Sequence, residues 1–311
     1  MKLTILLSAL SVIPAWSKPK PHKVLQDQPP GFVYVPAGAL YQLSDKKRNM
    51  AAFWMKECEV SNAEYRAYIQ DLTDSGKTEE ARLAWPDTLL QKSVLWIGKV
   101  SNYFTHPFFH NYPVTGITRP QAEKYCEWLT KRYNREHGDF PESNFRLPNP
   151  DEWEYAARGG RTGNSYPWGS TVRNSKGCPL AVWNDGEAYQ QENSNTASMI
   201  LYYQWLYHDV MQEPDLLLQE AKKKRRHRRI FWGLPQQVDT YFPNDWGLYH
   251  PCGNVAEMMA DGQYMGGSFR TLPGYMNLNW HLPHPFPGPG PQADVGFRPV
   301  MSYIPPRIKD K

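Results

Sequence analysis

The chain has 311 residues, of which 41% are hydrophobic, 21% charged and 14% aromatic, with 28 Pro and 22 Gly. That composition excludes collagen, a coiled coil and intrinsic disorder, and describes a folded, loop-rich protein of one large or two small domains. The formal net charge is +4, yet Lys222, Lys223, Lys224, Arg225, Arg226, Arg228 and Arg229 crowd seven positive charges into eight residues and leave the remainder mildly acidic, which argues against a nucleic acid as partner.

Lys2, the apolar run Leu3 to Ile13 and the small residues of Ala15-Trp16-Ser17 read as a secretory signal over residues 1–17. The run is too short to cross a bilayer, and no later stretch approaches the ~20 apolar residues that a transmembrane helix requires. No cysteine precedes Cys58, so a lipid-accepting cysteine behind the signal is not expected. The expectation is a soluble protein carried across the inner membrane, periplasmic or associated with the outer membrane. Residues 18–30 form a Pro- and Lys-rich leader without periodicity, expected to be a mobile arm.

The pattern then predicts a strand and turn at Phe32-Val-Tyr-Val-Pro-Ala-Gly and a strand at Phe53-Trp-Met-Lys. Ser61 and Glu64 form a capping box that opens a helix carrying Tyr65, Tyr68, Ile69 and Leu72. Residues 73–113 hold few regular signals and are expected to be an irregular excursion. A second helix, opened by Thr118 and Gln121, places Ala122, Tyr125, Cys126 and Leu129 on one face. A third starts at Asn149-Pro150-Asp151-Glu152, where Asn caps, Pro suits the first turn and the acids meet the positive helix end. Residues from about 190 to 235 interrupt the Gly, Pro and aromatic pattern with a helix-prone stretch ending in the basic octet, expected to be an inserted hairpin.

The four cysteines Cys58, Cys126, Cys178 and Cys252 allow three full pairings in an oxidising compartment, and spacing does not choose among them. Cys178 with Cys252 is the preferred pair, and Cys126 is expected to be a small core residue.

Four ordered blocks carry a resemblance. They are Phe32-Val-Tyr-Val-Pro-Ala-Gly with Glu59-Val-Ser-Asn-Ala-Glu-Tyr; Tyr112-Pro-Val-Thr-Gly-Ile-Thr with Ala122-Glu-Lys-Tyr-Cys-Glu-Trp-Leu; Phe145-Arg-Leu-Pro-Asn-Pro-Asp-Glu-Trp-Glu-Tyr-Ala-Ala-Arg-Gly-Gly with Tyr166-Pro-Trp-Gly; and Trp246-Gly-Leu-Tyr with Gly253-Asn-Val-Ala-Glu, Gly266-Gly-Ser-Phe-Arg and Gly296-Phe-Arg. Together they resemble the sulfatase-modifying-factor, or formylglycine-generating-enzyme, superfamily. The resemblance implies an α+β single domain of C-type-lectin-like topology over residues 31–304, with two or three main helices, small twisted antiparallel sheets, much coil and a tail at 305–311. Pro86-Asp-Thr-Leu and Tyr103-Phe-Thr-His-Pro-Phe-Phe-His-Asn-Tyr-Pro-Val are further similar to the sulfatase-modifying-factor-like subunits of the gliding-motility and type IX secretion machinery of Bacteroidetes.

The family's copper(I) cysteines would fall in the segment after Gly266-Gly267-Ser268, where the ungapped comparison places Met276 and His281 instead. Thiolates suit soft Cu(I), so the family's oxidase chemistry is not expected, and a copper site built on thioether and imidazole is the lesser alternative. Of a calcium-like set, Gly253, Val255 and Glu257 match, while His250 supplies nitrogen where a hard oxygen is wanted. Arg146, Glu152, Trp153, Glu154, Arg158, Asn254 and Arg298 are read as structural, through buried ion pairs and packing. The functional expectation is a noncatalytic binding or assembly component of the bacterial cell envelope, with the basic octet as contact for an envelope protein or an anionic envelope component. The alternative is a formylglycine-generating-enzyme-like, metal-dependent oxidoreductase with a nonstandard site.

Overall fold

The computed structural model describes residues 28–41, 47–94, 102–137, 143–175, 180–183, 235–276, 278 and 290–302. The signal, most of the leader and of the insertion, the basic octet Lys222–Arg229 and the tail lie outside the described residues.

Among the described residues, nine short strands and five α-helices form an α+β fold. The strands are β1 (Phe32–Val35), β2 (Gly38–Tyr41), β3 (Lys47–Met50), β4 (Phe53–Lys56), β5 (Phe145–Arg146), β6 (Ala256–Met258), β7 (Tyr264–Met265), β8 (Val295–Gly296) and β9 (Val300–Ser302). The helices are α1 (Asn62–Asp74), α2 (Thr78–Leu83), α3 (Thr88–Val94), α4 (Arg119–His137) and α5 (Pro150–Arg158). The sheet order β1-β4-β9-β5 is antiparallel throughout. All four β4 residues are buried between β1 and β9. Side chains of successive strand residues point to opposite faces: Trp54 joins Phe32, Phe145 and Met301 in one cluster, while Phe53 and Met55 join Val35 and Val300 in another.

The second sheet, ordered β7-β6-β8, is not purely antiparallel as expected, because β6 pairs with β8 in parallel. The long connection between residues 258 and 295 is what permits a parallel return. Gly296 in β8 has no room for a side chain, since a Cβ there would sit 2.9 Å from both the Val114 carbonyl oxygen and Val255 Cγ2.

The helix starts follow the local sequence. Ser61 accepts from the Glu64 amide and Glu64 from the Ser61 amide at 2.8 Å, and Asn149 and Glu152 repeat the arrangement at α5. Glu64 also pairs with Lys56 at 2.8 Å, so the cap is tied to the end of β4. Tyr65, Tyr68, Ile69 and Leu72 of α1 meet Ala122, Tyr125 and Cys126 of α4 in a core where Tyr65 and Tyr125 stack at 5.7 Å. The excursion after α1 is more regular than expected. It holds α2, α3 and a 3₁₀ turn at Pro107–Phe109, whose short lengths give too few repeats for periodicity to show. Tyr103, Phe109 and Tyr112 there bury themselves against Val182 and Phe269.

Replacing Ser61 with alanine removes one helix-end acceptor and is expected to cost about 1 kcal/mol, read as a lower urea midpoint at unchanged slope. A midpoint unchanged within error would mean that the cap adds nothing to stability.

Candidate functional site

The sheet of β6 to β8 presents a buried ion pair to the rest of the molecule. Glu257, in the middle of β6, and Arg298, just beyond β8, are each 1% exposed in their side chains. Arg298 donates from Nη2 to Glu257 Oε1 at 2.6 Å and from Nε to Oε2 at 2.7 Å. Its other donors reach the carbonyls of Glu57 at 3.0 Å and Tyr249 at 2.8 Å. The Trp153 indole of α5 donates to Glu257 Oε2 at 2.8 Å. Burial works against the guanidinium charge, but the Glu257 carboxylate outweighs it and holds the Arg298 pKa above its ordinary value. Two further pairs brace α5: Arg146 with Glu152 and Arg158 with Glu154, each at 2.6 Å.

Beside this pair lies a second buried carboxyl that sequence reasoning did not single out. Glu59 is fully buried; its Oε1 accepts from Asn254 Nδ2 at 3.0 Å, and its Oε2 has no hydrogen-bond partner among the described residues. One guanidinium stands near two carboxylates and is already engaged by Glu257. Burial pushes the Glu59 pKa up to about 8, against the pull of Arg298 and with the repulsion of Glu257. Glu59 therefore carries a proton at neutral pH. Asn254 holds its place in left-handed backbone at φ 60°, and its Oδ1 accepts from the Gln236 amide at 2.7 Å. The same segment engages His250, whose Nε2 lies 2.9 Å from Thr240 Oγ1 and 3.2 Å from the Gln237 carbonyl. A carbonyl only accepts, so Nε2 bears the hydrogen. Burial, then the nearby Arg298 charge, lowers the His250 pKa to about 3, leaving the imidazole neutral.

The calcium-like set does not fit calcium. The Glu257 carboxylate is neutralised by Arg298 and shared with Trp153, and His250 offers nitrogen with one ring N–H already spent. Calcium takes six to eight hard oxygens with uncompensated charge, and among the described residues no group of three His, Cys, Asp or Glu side chains could hold a metal.

The loop after β7 turns through Gly266 and Gly267, at φ 85° and 71°, into Ser268. Ser268 is fully buried, donates to Asp294 Oδ2 at 2.8 Å and sits 3.3 Å from Thr271 Oγ1. Met276 is fully buried with Tyr166, Ala181 and Trp183. Met276 and Thr271 both close on Gly267, where a Cβ would meet Met276 Cγ at 2.8 Å and Thr271 Cγ2 at 3.1 Å. The structure thus packs Met276 and Thr271 against Gly267 and sets Met276 among Tyr166, Ala181 and Trp183; His281 lies outside the described residues. A single buried thioether does not fit Cu(I), which wants several soft ligands. Ser268 had a signal in its Gly-Gly-Ser sequence. Thr271 and Asp294 had none, because only the fold places them there.

Of the preferred Cys178–Cys252 pair, only Cys252 is among the described residues. Cys252 is a free, fully buried thiol packed in the core of α5 and β4, and Cys178 lies outside the described residues. Cys58 and Cys126 are free and buried as well. Burial pushes the Cys58 thiol up to about 12 and those of Cys126 and Cys252 further above the ordinary range. None of the three is a thiolate at neutral pH.

Comparison with known proteins agrees with this architecture. Residues 17–302 match the sulfatase-modifying factor enzyme 1-like domain, and the chain belongs to that family. A 235-residue stretch is 26% identical to the formylglycine-generating enzyme of Bos taurus, covering 68% of this chain and 49% of that protein. The chain thus spans about half the length of such relatives. A shorter stretch of 59 residues, 19% of this chain and 15% of the relative, is 39% identical to the inactive C-alpha-formylglycine-generating enzyme 2 of Bos taurus. The fold is shared with CarF at a TM-score of 0.51 and 17% identity, covering 88% of this chain and 98% of that one. PvdO from Pseudomonas aeruginosa superposes at 0.50 and 15% identity, covering 88% and 94%. No described helix is long and apolar enough to cross a membrane.

The two perturbed groups set opposite pH limits. Glu59, raised to about 8, subtracts stability as pH rises from its ordinary value near 4.5 through 8. His250, lowered to about 3, subtracts stability as pH falls below about 6.5. Glu59→Gln keeps an acceptor for Asn254, so its stability relative to wild type is expected to rise by on the order of 2 kcal/mol between pH 6 and 9, measured by urea unfolding. A difference independent of pH would show that Glu59 is ionised in the folded protein throughout.

Proposed function

We propose that this member of the family is a noncatalytic binding or assembly component of the bacterial cell envelope, acting outside the cytoplasm. The observation that carries this reading is the loop after Gly266-Gly267-Ser268, where a buried Met276 packs on Gly267 and the sequence from Phe269 to Gly290 has no cysteine. A thioether neither ionises nor exchanges with a substrate thiol, so the family's thiol chemistry lacks its reagent there. A relative named as inactive supports the idea that the fold persists without that chemistry, as folds commonly outlive particular sites. The secretory signal read over residues 1–17 supports export, and the likeness of the 86–114 region to gliding-motility and type IX secretion subunits supports assembly as the use. The octet Lys222–Arg229 supplies contact to an acidic partner or anionic envelope component.

The alternative, a metal-dependent oxidoreductase, has in its favour the relatives named formylglycine-generating enzyme. The burial of Met276 among Tyr166, Ala181 and Trp183 weighs against it.

Two measurements test the proposal. Incubated with copper(I) and a sulfatase-type cysteine peptide, the protein is expected to yield no aldehyde above a no-protein control; aldehyde formation would overturn the noncatalytic reading. Binding to phosphatidylglycerol vesicles is expected at low salt and to be lost near 1 M salt, where the Debye length shrinks to about 3 Å. Changing Lys223, Arg225, Arg226 and Arg229 to Ser should abolish it, and binding that survives this change would remove the octet as the contact.

A further inference from the structure

Beside the Tyr166-Pro167-Trp168-Gly169 turn, the surface opens into a cleft of ≈ 410 Å³, counting its solvent-open mouth. Two segments line it, one through Trp168 and the other through Phe242, Pro243 and Asp245, with Arg161 joining them. Arg161 donates to both oxygens of Asp245, at 2.6 and 3.0 Å, and to the Trp168 carbonyl at 3.4 Å. The two sides are therefore held at a fixed spacing before any ligand arrives.

The Trp168 ring is fixed too. The Trp168 indole N–H donates to the Thr171 carbonyl at 2.6 Å, and its ring lies parallel to Tyr166 at an interplanar angle of 4°. Phe242 is 84% exposed, an unusual position for so large an apolar side chain. It stands between Tyr241, in left-handed backbone at φ 64°, and Pro243, whose ring confines the residue before it to extended backbone. The chain thus carries Phe242 on the surface and not in the core, and one cleft has both Phe242 and Trp168 in its lining.

We propose that this cleft is a binding site for a neutral pyranose saccharide. A sugar ring has an apolar C–H face that packs on an aromatic ring, whose π-face is electron-rich and meets C–H groups favourably. Its hydroxyls both donate and accept. The Asp245 oxygens each keep a second lone pair beside the Arg161 bond, and both side chains are partly open to solvent, 46% and 32% exposed. Hydroxyls can therefore bridge the pair without breaking it. An ionic ligand is disfavoured, because it would have to compete with a bidentate charge-assisted pair. A proline-rich peptide could use the aromatic surfaces, but its rings carry no hydroxyls for Asp245. Rigid walls matter for so small a site, since ordering loops on binding would consume the modest affinity that one stacked ring provides.

The test is titration of the full-length chain with cellohexaose and chitohexaose, followed by tryptophan fluorescence and saturation-transfer NMR. Saturable binding of at least one is expected, weakened about tenfold by Phe242→Ala, restored by Phe242→Trp and unchanged by Leu89→Ala, a comparably exposed apolar residue on α3. Because Phe242 is so exposed, its removal should leave the circular dichroism spectrum and melting temperature intact, which separates lost binding from lost folding. The proposal is overturned if neither saccharide binds saturably, if binding is indifferent to Phe242→Ala, or if a proline-rich decapeptide binds with the Phe242 dependence that the sugars lack.

Discussion

The Arg298–Glu257 pair is the constraint on which the rest of the structure depends. Taking a guanidinium and a carboxylate out of water costs several kcal/mol per ion, which mutual attraction offsets only when every remaining donor finds an acceptor. Here the chain supplies those acceptors from distant places: the carbonyls of Glu57 just past β4 and of Tyr249 in the loop before β6, with the Trp153 indole of α5 completing the carboxylate. Satisfying one charge pair thus ties the four-stranded sheet, the three-stranded sheet and α5 to a single point. Many of the strands have only two to four residues, too short to set their own register. A fold so rich in coil needs such a fixed point, because misplacing any of these segments would leave a buried donor of Arg298 unmet.

The pair also determines what its neighbours can be. With its charge engaged by Glu257, Arg298 leaves Glu59 without a full counter-charge, and the least costly form of that carboxyl is the protonated one. His250 feels the same guanidinium and is kept neutral by burial and by that charge. The interior around Asn254 is accordingly polar but close to electroneutral, which suits hydrogen-bonded clasping of the Gln236 segment better than capture of a cation. A family motif can thus keep its residue types while the charge available to a metal disappears.

The loop of Gly266 to Met276 shows the same separation of fold from chemistry. Two glycines in left-handed backbone and a buried Ser268–Asp294 bond preserve its path, whereas the group that fills it is a thioether packed against aromatic rings. Packing of this kind stabilises the loop through contacts that a reactive, solvent-accessible thiolate could not make.

Much of this was legible in the sequence wherever the cause is local. The capping boxes at Ser61–Glu64 and Asn149–Glu152, the buried face of α1, the core position of Cys126 and the α+β family itself follow from residues within a few positions of one another or from ordered motifs. Capping and periodicity are short-range effects, so a single chain displays them. Tertiary structure alone decided the rest. Glu59 and Asn254 are 195 residues apart, and Trp153 and Glu257 are 104 apart, so nothing local marks Glu59 as a proton carrier or Trp153 as a partner of the ion pair. The helices α2 and α3 are too brief to show a period, and the parallel return of β8 onto β6 depends on a long crossover. Whether Met276 faces a ligand or a core turns on burial, a property that belongs to the folded molecule and not to the order of its residues.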